Sequence, residues 1–177
     1  HATGVFGAHG EGLVCALGLQ DKVFARVHTF GKALGCHGAA VIGSPLLKQY
    51  LLNFARSFIY TTALPGHSVQ AIHCAYQHLS GHNFSNSSLH ELISYFRQKI
   101  AASGIPGWKD STSSIQALVA GSNELSRAYA TKLQQAGLQV NPILHPTVPL
   151  GEERLRVCLH TYNTKEQIDL LFDTLNK

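Results

Sequence analysis

Methionine is absent from the 177 residues, tryptophan occurs once, and charged side chains make up only 14% of the chain. Against 45% hydrophobic residues, so little charge excludes a disordered polyelectrolyte and leaves enough apolar material for a real core. Fourteen Lys and Arg against ten Asp and Glu give a net charge of +4. The basic residues are scattered, with no run that would track a nucleic-acid backbone, so the expectation is no nucleic-acid partner. A mildly basic surface suits anionic small molecules such as phosphates. The four cysteines, at 15, 36, 74 and 158, contain no Cys-x-x-Cys pair. They read as free thiols of a reducing compartment, which implies a cytoplasmic location and no disulfide frame. Glycine, proline or polar residues break every apolar stretch before it could span a bilayer, so no membrane association is expected. Gly4, Gly7, Gly10 and Gly12 crowd the first residues without the order, or the strand-to-helix placement, of a dinucleotide loop; they read as an irregular active-site loop.

What is present centres on one octapeptide, His28-Thr29-Phe30-Gly31-Lys32-Ala33-Leu34-Gly35. Before it, Lys22 to Val27 alternates as a strand should; after it, Gly38 to Gly43 reads as a second, buried strand. Glycines at 31, 35 and 38 permit tight or left-handed turns around a single lysine. An amine at a strand end in a Gly-rich turn has the placement a Schiff-base lysine needs, and partial burial favours the neutral, nucleophilic form of such an amine. An ordinary solvated lysine fits the same spacing.

Ser44-Pro45 is a helix start, serine as N-cap and proline at the first helical position, with apolar residues at helical spacing to about Ala55. Phe58 to Thr61 reads as a buried strand. A helix follows from His67 to Leu79, with Val69, Ile72, Ala75, Tyr76 and Leu79 inward. His73, His78 and His82 lie close in sequence, but no carboxylate or cysteine sits at a spacing that would finish a metal site, so no metal is expected. Polar, turn-rich residues 81–88 mark a boundary. Beyond them come a helix from Leu89 to Ala102, a strand from Ile115 to Val119, and a helix from Asn123 to Ala136 closed by Gly137. Strands at Leu138–Ile143 and Arg154–His160 follow. The last helix opens on the capping box Thr164-Lys165-Glu166-Gln167 and has Ile168, Leu171, Phe172 and Leu175 as its core face. Alternating strands and helices with short links indicate an α/β class. Arg154 and Arg156 share one strand face, and the prolines flanking Thr147 stiffen its backbone. Glu152 and Glu153 read as solvated charge.

Several of these stretches carry a resemblance. Thr29-Phe30-Gly31-Lys32-Ala33-Leu34-Gly35 with Gly38-Ala39-Ala40-Val41 resembles the cofactor-lysine motif of the α-oxoamine synthases, pyridoxal-phosphate enzymes of fold type I. His1-Ala2-Thr3-Gly4 resembles the end of the family's Asp-Glu-Ala-His-x-Thr-Gly stretch. Thr61-Thr62-Ala63-Leu64-Pro65 resembles its Thr-Ala/Ser-Leu-Pro segment, except that Gly66 stands where a second proline is usual. Pro146-Thr147-Val148-Pro149 with Arg154-Leu155-Arg156 resembles its C-terminal substrate motif.

The resemblance implies the C-terminal half of a family member, begun inside a motif and inactive alone. Residues 1–65 would end a large cofactor-binding domain, 66–82 form a connecting helix, and 83–177 make a small α/β domain. It implies pyridoxal 5'-phosphate as cofactor, Lys32 as its catalytic and covalent anchor, and His1 and Thr29 as cofactor contacts. Thr61 and Thr62 would reach the cofactor of a neighbouring subunit, hence a homodimer with shared sites. Thr147 and Arg156 would bind the amino-acid substrate, Arg156 through its carboxylate. The implied reaction condenses an amino acid, L-alanine, with a pimeloyl thioester on CoA or a carrier protein, with loss of carbon dioxide. Other α-oxoamine syntheses, from glycine or serine with other acyl thioesters, and a non-catalytic dimerisation fragment, fit the same residues.

Overall fold

The computed structural model describes residues 1–81 and 84–177, in two compact units, residues 1–86 and 87–177. His82 of the histidine group, and the 82/83 boundary, lie outside the described residues.

In the first unit a turn-rich loop and the short helix α1 (Leu13–Ala16) precede a hairpin of β1 (Ala25–Thr29) and β2 (Ala39–Gly43). The two strands pair antiparallel, with Val27 opposite Val41 and Thr29 opposite Ala39. β1 begins later than the alternation suggests, because Leu19 to Val23 closes into a turn: the Leu19 carbonyl accepts from the Lys22 and Val23 amides at 3.0 and 3.2 Å. Nor is β2 a buried strand; its residues alternate exposed and half-buried.

Helix α2 (Pro45–Phe54) starts as its sequence dictates, the Leu47 amide donating to Ser44 Oγ at 3.1 Å with Pro45 behind the cap. The buried strand expected at 58–61 is instead α3 (Arg56–Ile59), one helical turn in which the Ala55 carbonyl accepts from Phe58 and Ile59. A short apolar run does not by itself distinguish strand from helix. Phe58 and Tyr60 are exposed here, at 59% and 88%. Helix α4 (Gly66–Ser80) keeps Ile72, Ala75, Tyr76 and Leu79 half-buried, while Val69 faces out.

The second unit packs α5 (Ser87–Ser103), α6 (Asn123–Gln135) and α7 (Lys165–Asn176) with an antiparallel sheet of order β3-β5-β4. The strands are β3 (Ile115–Val119), β4 (Asn141–Ile143) and β5 (Arg154–Cys158). Leu155 and Val157 on β5, Leu118 on β3, Phe96 on α5, Leu133 on α6 and Phe172 on α7 are all buried. The Phe96 ring stands at 5.0 Å from Phe172 and 5.3 Å from Trp108. The box at the start of α7 forms, Gln167 N donating to Thr164 Oγ1 and Thr164 N to Gln167 Oε1. Thr174 rather than Leu175 completes the buried face of α7.

Among the described residues no helix is long and apolar enough to cross a membrane, and the four cysteines are free.

Candidate functional site

The first unit's polar cleft is built on the end of β1. Phe30 is the anchor: it is buried, its ring lies edge-on to Tyr76 of α4 at 6.0 Å, and its amide donates to the Gly38 carbonyl at 2.9 Å. The chain between leaves and returns to this point, closed by Cys36 N to Phe30 O at 2.9 Å and Gly35 N to Lys32 O at 3.0 Å. Gly38 makes the return with φ +110°, a conformation side-chain-bearing residues rarely adopt. Lys32 therefore sits on a loop fixed at both ends.

Its Nζ donates to Thr29 Oγ1 at 3.0 Å. A cleft of about 120 Å³ at this pair is lined also by His1, Thr3 and His28. The amino-terminal loop reaches the cleft because Gly4 has no side chain: a Cβ there would lie 3.0 Å from that of Ala33. The loop is held by Gly4 N to Gly10 O at 2.8 Å and by the Asn86 amide donating to the carbonyls of Val5 and Gly7 at 2.9 and 3.2 Å. The partial burial expected of Lys32 is not seen; it is exposed.

His28 is the cleft residue that motif reading passed over. Burial, then the Arg26 guanidinium, hold its imidazole below the ordinary histidine range, so it faces the cleft uncharged at neutral pH. Its signal in the sequence was its place beside Thr29 on β1.

Thr61 and Thr62 are exposed after α3 and do not line this cleft; Thr61 Oγ1 donates to the Ser57 carbonyl at 2.5 Å. Thr147 and Arg156 belong to the second unit. Thr147 is exposed in the loop between β4 and β5. The two arginines of β5 differ. Arg154 is tied down, Nε donating to the Glu152 carbonyl at 2.7 Å and Nη2 to its carboxylate at 2.8 Å. Arg156 stands opposite Ala117 and Asn141, exposed and, among the described residues, without an ion pair. It lines a groove of about 350 Å³ with Gln139, Asn141, His160 and Tyr162. A planar guanidinium left unpaired beside a groove suits a carboxylate.

Glu153 overturns the reading of the acidic pair as solvated charge: Glu152 pairs outward with Arg154 and Lys109, but Glu153 is wholly buried. The alternation that puts Arg154 and Arg156 on one face puts Glu153, Leu155 and Val157 on the other. That was the signal available in the sequence. Among the described residues no group of three or more His, Cys, Asp and Glu side chains is placed to hold a metal ion.

The donor set fits pyridoxal phosphate. A primary amine is the group that condenses with its aldehyde, and a hydroxyl 3.0 Å away on the same cleft wall can donate to a phosphate.

The comparisons agree with this chemistry. An 8-amino-7-oxononanoate synthase from Emericella nidulans is 42% identical over 99% of this chain, which covers 44% of that protein. The crystal structure of 8-amino-7-oxononanoate synthase from Francisella tularensis superposes with a TM-score of 0.88 at 28% identity, over 99% of this chain and 52% of that one. A serine palmitoyltransferase from S. paucimobilis, with bound PLP–myriocin, gives a TM-score of 0.82 at 25% identity, over 99% and 44%. The chain thus spans about half the length of the relatives it matches. Residues 1–175 match the aminotransferase class I and II family, and the chain belongs to that family.

Proposed function

We propose that this chain supplies the lysine-bearing and amino-acid-binding parts of a pyridoxal-phosphate-dependent acyltransferase. Its reaction joins L-alanine to a pimeloyl thioester, on CoA or a carrier protein, and gives 8-amino-7-oxononanoate, carbon dioxide and the free thiol, a step of biotin biosynthesis in the cytoplasm. The observation that carries this is the Lys32–Thr29 pair in its cleft, at 3.0 Å, on a chain 42% identical to a synthase of that name.

When bound, pyridoxal phosphate supplies an aldehyde for amines and a ring that takes up the electron pair released at the amino-acid α-carbon. Lys32 Nζ would hold the cofactor, and its amine would serve as the base for the α-proton. Thr29 and His1, which line the same cleft, would hold the cofactor, Thr29 through its phosphate. The Arg156 guanidinium grips the amino-acid carboxylate with two parallel hydrogen bonds, while Thr147 orients the substrate from its proline-stiffened loop. We assign Thr61 and Thr62, which are exposed and outside the Lys32 cleft, to the cofactor of a second subunit in a homodimer with shared sites.

The test is a turnover screen of the full-length protein. Alanine, glycine and serine are each paired with pimeloyl, acetyl, succinyl and palmitoyl thioesters, and products are identified by mass. Alanine with the pimeloyl thioester should dominate. Dominance of serine with palmitoyl-CoA would move the chain to the sphingolipid branch of the same chemistry. No amino ketone from any pair would overturn the reading.

A further inference from the structure

Glu153 is 0% exposed. Its Oε2 accepts the Gly151 amide at 2.9 Å, and its Oε1 is buried with no hydrogen-bond partner among the described residues. Its main-chain carbonyl accepts two further amides, from Ala120 at 2.8 Å and Gly121 at 3.2 Å, where the chain leaves β3. Burying a carboxyl group with one oxygen unsatisfied is costly, and an apolar residue at the inner position of β5 would avoid that cost. Leu155, Val157 and Leu159 fill the following inner positions.

The hydrogen bonds around Glu153 show what it organises. The loop from Leu144 to Gly151 carries Thr147 and is held at both ends. At its start the His145 amide donates to Asn123 Oδ1 at 3.0 Å. Within it Val148 N donates to Leu144 O at 3.2 Å, and Glu152 N to Pro149 O at 3.0 Å. At its end the Gly151 amide is fixed by the Glu153 carboxyl. Three residues further along the chain, Arg156 projects from the outer face of β5. One buried side chain thus fixes the end of the Thr147 loop, while the same residue's carbonyl fixes the entry of the strand that presents Arg156.

We propose that Glu153 is a positioning residue for amino-acid binding: through the Gly151 amide and the start of β5 it sets where the Thr147 hydroxyl and the Arg156 guanidinium stand. It touches no reacting atom. The inference rests on the proposed amino-acid-binding role of those two residues. It predicts an effect on substrate affinity that is separate from cofactor loading, which takes place at Lys32.

The experiment compares full-length wild type with E153Q, E153D and E153A. Gln keeps an acceptor at the same reach, whereas Asp keeps the carboxyl group but is one methylene too short to hold Gly151. In E153D and E153A the KM for the amino acid should rise about five- to tenfold, with kcat within about twofold and pyridoxal-phosphate affinity unchanged. E153Q should restore KM to within about twofold of wild type. Amide hydrogen exchange of the peptide containing Gly151 should accelerate in E153D and E153A and not in E153Q. If E153A does not accumulate as folded protein, E153D and E153Q decide the matter. The proposal is overturned if E153D leaves both KM and Gly151 exchange at wild-type values, or if E153Q is as impaired as E153D. Wild type that turns over no amino acid would instead overturn the function proposed above, and Gly151 exchange would still report on the hydrogen bond.

Discussion

The helices of the two units treat their apolar residues in opposite ways. In the first unit neither α2 nor α4 has a buried residue, and Phe24, Leu46, Phe54 and Tyr60 are between 65% and 88% exposed. In the second, α5 and α7 each bury four side chains, and Phe96, Leu133 and Leu155 are wholly enclosed. The second unit completes its own core. The first is held by a hairpin, the Phe30 anchor and glycine turns, and its exposed side chains find no cover within a chain that spans about half the length of its relatives. The proposed cofactor site and the self-sufficient core therefore lie in different parts of the chain.

The largest expected effect tests this contrast directly. Phe96→Ala should destabilise the second unit by about 3–5 kcal/mol, because a ring packed against Trp108 and Phe172 leaves a cavity. Phe54→Ala, at a 65% exposed position, should change the stability of the isolated chain by no more than about 0.5 kcal/mol. Chemical denaturation is followed by the single tryptophan, Trp108, which reads the second unit, and by far-ultraviolet circular dichroism, which reads the helices of both. Equal losses for the two variants would erase the distinction.

A smaller effect separates the units by role. Arg156→Lys cannot reproduce a two-pronged carboxylate contact, so the KM for the amino acid should rise about tenfold, roughly 1.4 kcal/mol. Cofactor affinity, which the proposal places at Lys32, should not move. Steady-state kinetics beside a cofactor titration checks both, and an unchanged KM would remove Arg156 from the site.

The smallest effect is one of pH. The His28 imidazole is held below its ordinary value of 6.5, chiefly by burial, so its folded form disfavours the proton. That contribution is intact above pH 6.5 and is lost as pH falls through the lower folded value. In the second unit Asp169 is held below 3.8 by its hydrogen bonds to Lys99 first and Tyr95 next, so its contribution persists until pH falls through a value lower still. On mild acidification hydrogen exchange should quicken around β1 and β2 before Trp108 fluorescence changes. His28→Asn should abolish the early step. Simultaneous loss in both units would contradict the assignment.

Legibility in the sequence followed the range of the interactions. Ser44-Pro45, the Thr164–Gln167 box and the alternation of Ile115 to Val119 are local signals, and the structure realises each of them. The Lys32–Thr29 contact spans three residues within one motif, so it too was readable. Failures came where neighbours decide. Phe58 to Tyr60 has the composition of a strand, but after the extended Ala55 the chain closes a separate helical turn, α3, that ends at Ile59. Glu153 is indistinguishable from Glu152 in composition, and only the inner register of β5 separates them. Thr3 and Asn123 take their places through chain segments that return from elsewhere, which spacing cannot show.

The central claim is that Lys32 is the amine that holds the cofactor. The full-length protein, loaded with pyridoxal phosphate, is reduced with borohydride, digested and mapped by mass spectrometry. The account predicts a pyridoxyl group on Lys32 and, in Lys32→Ala, no labelled peptide above background. A stoichiometric label on any other lysine, with Lys32 unmodified, would contradict it.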